Sequence, residues 1–248
     1  YRCIKRQTNI VGINSILKNL REIESADSKF RESEISVSAG AKAWDIWKAF
    51  DFIRRHQTKD AFILDVGTFK SRMLEVLYCD GYRNLYGCDI SGVEWRWPFF
   101  LYLRKGRFWD LARWLCQKGP IRLSRQDLQK TKYPSSRFDC ITSISVIEHG
   151  VDARLYLKEM SRLLKPGGYL ITSCDYWPEP IDTLHSLPYG LSWNIQTQND
   201  IEGLISLAGD SNLFPVEPMD FSRADPVIKW NGKEYTFAFF ILRKTDCV

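Results

Sequence analysis

The chain has few histidines, no closely spaced cysteine pair and no long hydrophobic run, and each absence removes a class of function. There are three histidines in 248 residues, so a histidine-rich metal centre is not expected. The seven cysteines, Cys3, Cys79, Cys88, Cys116, Cys140, Cys174 and Cys247, are scattered. None has the C-x-x-C partner that zinc or dithiol chemistry uses. They read as reduced structural thiols in a reducing compartment. The longest uncharged apolar runs, Trp97 to Leu103 and Thr236 to Leu242, fall far short of the roughly 18 residues a membrane span needs. No apolar signal core follows Tyr1, which leads us to expect a cytoplasmic protein, or one peripheral to a membrane. Beginning at Tyr rather than Met, the chain reads as trimmed or as one domain of a longer protein. Repeats and low-complexity tracts are also missing.

What is present is an ordinary soluble composition with one surplus. Hydrophobic residues make up 44% and charged residues 26%, which excludes a disordered chain or a disulfide-stapled miniprotein. A chain of this length hides roughly 70–75% of its unfolded surface, enough for a large core. The net charge of +5 is compatible with an anionic partner and requires none. No dense basic stripe or RNA-binding motif favours nucleic acid. The surplus is aromatic, above all in nine tryptophans.

Residues 8–60 read as helical. Ile13, Ile16, Leu17 and Leu20 recur at helical spacing, as do Trp44, Trp47, Ala49, Phe50 and Ile53, with polar Glu24 to Ser38 as a connection. From Ala61 the pattern alternates strand and helix. Strands are expected at 62–66, 85–90, 121–128, 138–144, 169–174 and 236–242, and helices at 72–78, 152–164 and 200–207. In the 152–164 helix, Leu155, Met160, Leu163 and Leu164 should share the inner side. Alternation of this kind implies a parallel α/β sheet with helices on both faces.

In such sheets ligands bind beyond the carboxyl ends of the strands, where strand order reverses. The first strand ends in Asp65-Val66-Gly67-Thr68-Phe69-Lys70-Ser71 and the second in Asp89-Ile90. The third ends in Gln126-Asp127-Leu128, and the fourth in Ile144-Ser145-Val146-Ile147-Glu148-His149. Asp89 can accept both hydroxyls of a ribose and Asp127 an exocyclic amine. Gly67 allows a close backbone approach, and Asp65 can hold a cationic amine. Together these residues suit an adenosyl ligand with an amino-acid tail.

The run Phe62 to Gly67, the run Phe138 to Ile141 leading into Ile147-Glu148-His149, and Leu163-Leu164-Lys165-Pro166-Gly167-Gly168-Tyr169-Leu170 resemble the class I S-adenosylmethionine-dependent methyltransferases. The likeness is to their small-molecule, type 11-like group. It is good over residues 61–174 and loose beyond. It implies a Rossmann-like, seven-stranded, mostly parallel sheet over 59–248, with a helical cap at 1–58 and an insertion at 92–120. It also implies S-adenosylmethionine as cofactor. Asp65, Gly67, Thr68, Phe69 and Ser71 would line the methionine end and its loop, and Asp89 with Ile90 the ribose. Gln126, Asp127 and Leu128 would face the adenine, with Ile144 and Ser145 beneath the cofactor. Phe69 and Ser71 depart from the family's second and third loop glycines, and a Phe there crowds the cofactor unless it turns outward.

For the chemistry, His149 and His185 are candidate bases, with Glu148 beside the first. Each also has a plain structural reading. Tyr176, Trp177 and Trp193, after the fifth strand, suit a flat or sugar-like acceptor, or else close the core under a loop. The insertion interleaves Trp95, Trp97, Phe108, Trp109 and Trp114 with Arg96, Arg104, Lys105, Arg107, Arg113 and Lys118. It suits an interfacial helix, a lid over an anionic acceptor, a partner contact, or simple packing with a solvated basic face. The leading expectation is O-methylation of a small-molecule or glycan acceptor, lipid-linked in one version. The alternative is a cofactor-degenerate binding or scaffolding module. A nicotinamide-dependent oxidoreductase is disfavoured, since no G-x-G-x-x-G follows the first strand.

Overall fold

In the computed structural model, residues 12–33, 35, 40–69, 71–90, 97–116 and 118–245 are described. Cys3, Cys247, Trp95 and Arg96 lie outside these residues. The elements are β1 (Ser15–Ile16), α1 (Leu20–Glu32), α2 (Ala43–His56), β2 (Phe62–Val66), α3 (Met73–Cys79), β3 (Asn84–Asp89), α4 (Trp97–Arg104) and α5 (Phe108–Leu115). They continue with β4 (Ile121–Arg125), β5 (Phe138–Ile144), α6 (Ala153–Leu163), β6 (Leu164–Tyr176), α7 (Gln198–Ala208), β7 (Leu213–Pro215), β8 (Ile228–Trp230) and β9 (Lys233–Lys244).

Among the described residues the sheet has nine strands rather than seven, in the order β1-β9-β6-β5-β2-β3-β4, with β7 and β8 also pairing with β9. β2 to β6 are mutually parallel; β9 runs antiparallel to β6. The extra strands are short pieces that attach to the long β9. The pleat sends alternate residues to opposite faces. Ile63, Cys140, Ile171, Phe239 and Ile241 join α1 to α4 in one core cluster, whereas Leu64, Ile141, Leu170, Phe240 and Leu242 join α6 and α7 in another.

Caps and stripes explain the helices. Asp152 accepts a hydrogen bond from the Leu155 amide to start α6, and Thr197 with Asp200 forms a capping box on α7. The buried side of α6 is Tyr156, Leu157, Met160 and Leu163. Leu155 is exposed, so it does not belong to the inner side expected for it.

The N-terminal expectation needs a larger correction. Ile16 is in a strand paired with β9, not a helix. The polar stretch from Glu24 is helical to Glu32, because Ile23, Ala26 and Phe30 supply a sparse apolar stripe. Three apolar residues at i, i+3 and i+7 suffice, since Phe30 packs edge-on against Trp47 of α2 at 5.0 Å. The described cysteines, Cys79, Cys88, Cys116, Cys140 and Cys174, are free thiols.

Candidate active site

The chain runs β2, β3, β4 toward one edge, then returns to place β5 on the other side of β2. That reversal opens a crevice at the strand ends, and a cavity of about 670 Å³ occupies it. Gly67, Phe69, Ser71, Asp89, Ile90, Asp127, Leu128, Ile144, Ser145 and His149 all line it. Thr68 and Gln126 do not. Thr68 is buried beneath the loop, and the Gln126 side chain donates to Ser124 Oγ and accepts from the Lys132 amide.

The loop after β2 is shaped by Gly67. Its φ is +68°, and a Cβ there would overlap Val146 Cγ2 and lie 3.1 Å from Cγ1. The Gly67 and Thr68 amides both donate to the Cys88 carbonyl, and the Phe69 amide donates to Asp89 Oδ2 at 3.2 Å. Asp65 sits wholly buried below. Its Oδ1 accepts from Thr142 Oγ1 at 2.6 Å, while Oδ2 has no hydrogen bond among the described residues. Burial pushes its pKa up to about 6, against the Thr142, Ser71 and Thr68 hydroxyls, which oppose the rise.

The far half of the cavity is aromatic and charged. Tyr189 meets Phe69 edge-on at 6.3 Å and His149 at 5.9 Å, and stacks on Trp230 at 6.4 Å. Phe69 therefore forms a wall of the cavity rather than turning away from it. Lys42, just before α2, places its ammonium 3.5 Å from the centre of the Phe237 ring. It donates to Ser145 Oγ and to Asp45 Oδ2. Buried Glu148 and Asp175 lie on the same side. Burial raises the pKa of both carboxyl groups, the Asp175 charge raises that of Glu148 further, and Lys42 opposes the rise in each. Trp193 Nε1 donates to Asp175 Oδ2 at 2.9 Å. Burial lowers the pKa of His149 below its ordinary value, with Asp175 opposing, so its imidazole is neutral at neutral pH. Its Nδ1 has no hydrogen bond among the described residues.

Several expected residues fall elsewhere. His185 is exposed and off the cavity. Tyr176 is buried against Phe221, and Trp193 lies behind the wall, edge-on to Trp230 at 5.0 Å. Trp177 is half-buried and does not line the cavity. Glu148 is buried and does not line the cavity. The loop they share folds back over the sheet, with the Trp177 amide donating to the Gln196 carbonyl, and this turns the aromatic rings inward. Sequence reasoning passed over Lys42, Trp230 and Tyr235 and reached Asp175 and Tyr189 only as members of the acceptor segments 175–180 and 189–193; all five line the cavity.

Residues 64–172 match the family model described as a methyltransferase domain, type 11. Over those residues the chain resembles a methyltransferase domain. No curated protein sequence matches it, but solved structures share its fold. A candidate sarcosine dimethylglycine methyltransferase from Galdieria sulphuraria superposes with a TM-score of 0.61 at 14% identity, over 94% of this chain and 93% of that one. The 1,6-didemethyltoxoflavin-N1-methyltransferase of Burkholderia thailandensis, with S-adenosylhomocysteine bound, gives 0.58 at 17% identity over 93% and 92%. Geranyl diphosphate C-methyltransferase from Streptomyces coelicolor A3(2), also with S-adenosylhomocysteine, gives 0.57 at 14% over 86% and 84%. At these identities the likeness is one of fold.

The cofactor of such a domain is S-adenosylmethionine, and the residues present fit it. The unpartnered Asp65 oxygen under the loop suits a cationic amine, and Gly67, lacking a side chain, lines the cavity with its backbone while Val146 packs against it. Asp89 and Asp127 line the same cavity as acceptors for a ribose and an amine.

Proposed function

We propose that the protein is an O-methyltransferase acting on a small-molecule or glycan hydroxyl. S-adenosylmethionine, when bound, supplies an electrophilic methyl group on a sulfonium. The protein's part is then to align the acceptor oxygen and remove its proton. Asp65, the loop at 67–71, Asp89, Asp127 and Leu128 would hold the cofactor, with Ile144 and Ser145 as its floor.

The observation that carries the reading is the position of His149. A neutral imidazole lines the same cavity as the cofactor-side carboxylates, between Tyr189 and buried Asp175. A neutral histidine can take a hydroxyl proton, and Asp175 favours the imidazolium that results. Phe69, Tyr189 and Trp230 offer flat apolar walls to a ring, and Lys42 and Asp175 polar partners for its substituents.

Titration calorimetry with S-adenosylmethionine and S-adenosylhomocysteine tests the cofactor half. Binding is expected, and Asp89→Ala should weaken it by about a hundredfold through loss of two charge-assisted hydrogen bonds. No binding at millimolar cofactor overturns the enzyme reading in favour of a degenerate binding module. Transfer of a labelled methyl group to hydroxylated aromatic compounds and glycans tests the acceptor half. Methylation at nitrogen or carbon alone would refute the O-methyl assignment.

A further inference from the structure

The helical pair α4 and α5 carries apolar residues on its outer side as well as on the side packed to the core. No residue of α5 is fully buried. Its inner side is Asp110, Leu111 and Trp114, of which Leu111 and Trp114 touch the core and Asp110 accepts from Tyr78 Oη at 2.6 Å. At 100° per residue, Leu115, Phe108, Ala112, Cys116 and Trp109 form one continuous stripe on the opposite side. Phe108 is 66%, Trp109 85% and Leu115 64% exposed. α4 adds Phe100 and Leu103, also exposed. Scattered surface hydrophobics need no explanation, but a contiguous stripe with a tryptophan at its crest does.

Basic residues surround this stripe. Arg104, Lys105, Arg107, Arg113 and Lys118 are all exposed. Among the described residues of 97–118 there is no exposed acid, because Asp110 is turned inward. Outside the segment, Glu75 is paired with Arg72 and Arg104. None of the described helices is long and apolar enough to cross a membrane.

We propose that the α4–α5 pair docks the protein onto an anionic lipid surface, with Phe108, Trp109 and Leu115 entering the headgroup boundary and the basic rim facing lipid phosphates. Aromatic and leucine side chains flanked by Arg and Lys are what interfacial insertion requires. A second copy of the chain fits less well. A two-fold contact through this face would set the basic rim against itself, whereas an anionic bilayer complements it.

Co-sedimentation with phosphatidylcholine vesicles, with and without phosphatidylglycerol, tests the proposal. Binding is expected only with phosphatidylglycerol, and should weaken as salt rises. Phe108→Ala with Trp109→Ala, and separately Arg107→Glu with Arg113→Glu, should each lower vesicle binding by about tenfold or more. Unchanged thermal unfolding would show that both variants fold. Failure to bind phosphatidylglycerol vesicles overturns the proposal, as does binding that neither variant weakens. Concentration-dependent dimerisation in sedimentation velocity that Trp109→Ala removes would instead assign the face to a second copy.

Discussion

Replacing Asp65 with Asn should make the cofactor-free protein more stable at neutral pH relative to acid pH, while weakening cofactor binding. The Asp65 carboxyl is wholly buried with one unpartnered oxygen, and its pKa is raised from 3.8 to about 6. The folded state therefore keeps a proton that the unfolded state has lost. Stability is full below the unfolded pKa and falls as pH rises through the folded one. A shift of about two units corresponds to about 3 kcal/mol between pH of about 4 and about 7. Asn cannot ionise and its Oδ1 can keep the Thr142 bond. Its Nδ2 takes the place of the unpartnered oxygen, at a cost of about 1–3 kcal/mol if it finds no acceptor. That cost does not depend on pH. Urea unfolding of both proteins at the two pH values isolates the ionisation as the difference between the two ΔΔG values, expected at about 3 kcal/mol in favour of Asn. Calorimetry should show the opposite for function, with S-adenosylmethionine affinity falling and losing its rise through pH of about 6. A ΔΔG that is the same at both pH values, or unchanged cofactor affinity, would refute the reasoning.

Two further outcomes follow from the same site. Gly67→Ala combines a left-handed residue, about 1–2 kcal/mol, with a clash against Val146 of about 1–3 kcal/mol. It should lower the denaturation midpoint and abolish cofactor binding, and an unchanged midpoint would contradict the geometry. His149→Gln should lower kcat by about 10²–10⁴-fold with cofactor affinity intact. In the unaltered protein kcat/KM should already be level by pH of about 7, because His149 titrates below its ordinary value. A rate still climbing well above neutrality would point to a different base.

The strand ends were legible in the sequence because their signals are local. A buried parallel strand reads as an apolar run, so Phe62-Ile63-Leu64 announces itself, and Asp65 and Gly67 at its end follow directly. The acceptor side has no such local signal. Lys42, Asp175, Tyr189 and Trp230 come from four distant segments, and only tertiary packing brings them together. Sequence proximity to the fifth strand favoured Trp177 and His185 instead, and the return of the loop leaves both off the cavity. One available cue was passed over. Asn231-Gly232 is a hairpin turn signal, with φ of +49° and +74°. The turn pairs β8 with β9 and sets Trp230 on the cavity wall instead of in an undirected turn.

Two of the five described non-glycine residues with positive φ line the same cavity. Ser145 and Tyr189 have φ of +52° and +59°, a region that non-glycine residues rarely occupy. Both line the cavity. A residue in this conformation costs about 1–3 kcal/mol and persists only where its surroundings hold it. For Ser145 the holding contacts are its amide on the Ser173 carbonyl and its hydroxyl on Lys42. For Tyr189 they are ring contacts with Phe69, His149 and Trp230. Packing alone gives no reason to favour either strained residue, since neither is needed to close a core. Ser145 sets the turn that carries Glu148 and His149 off the end of β5, and Tyr189 sets the ring that joins the cofactor loop to the acceptor wall. The strain at these two residues thus sits where the halves of the cavity meet, which is where a transferase must hold two ligands in register.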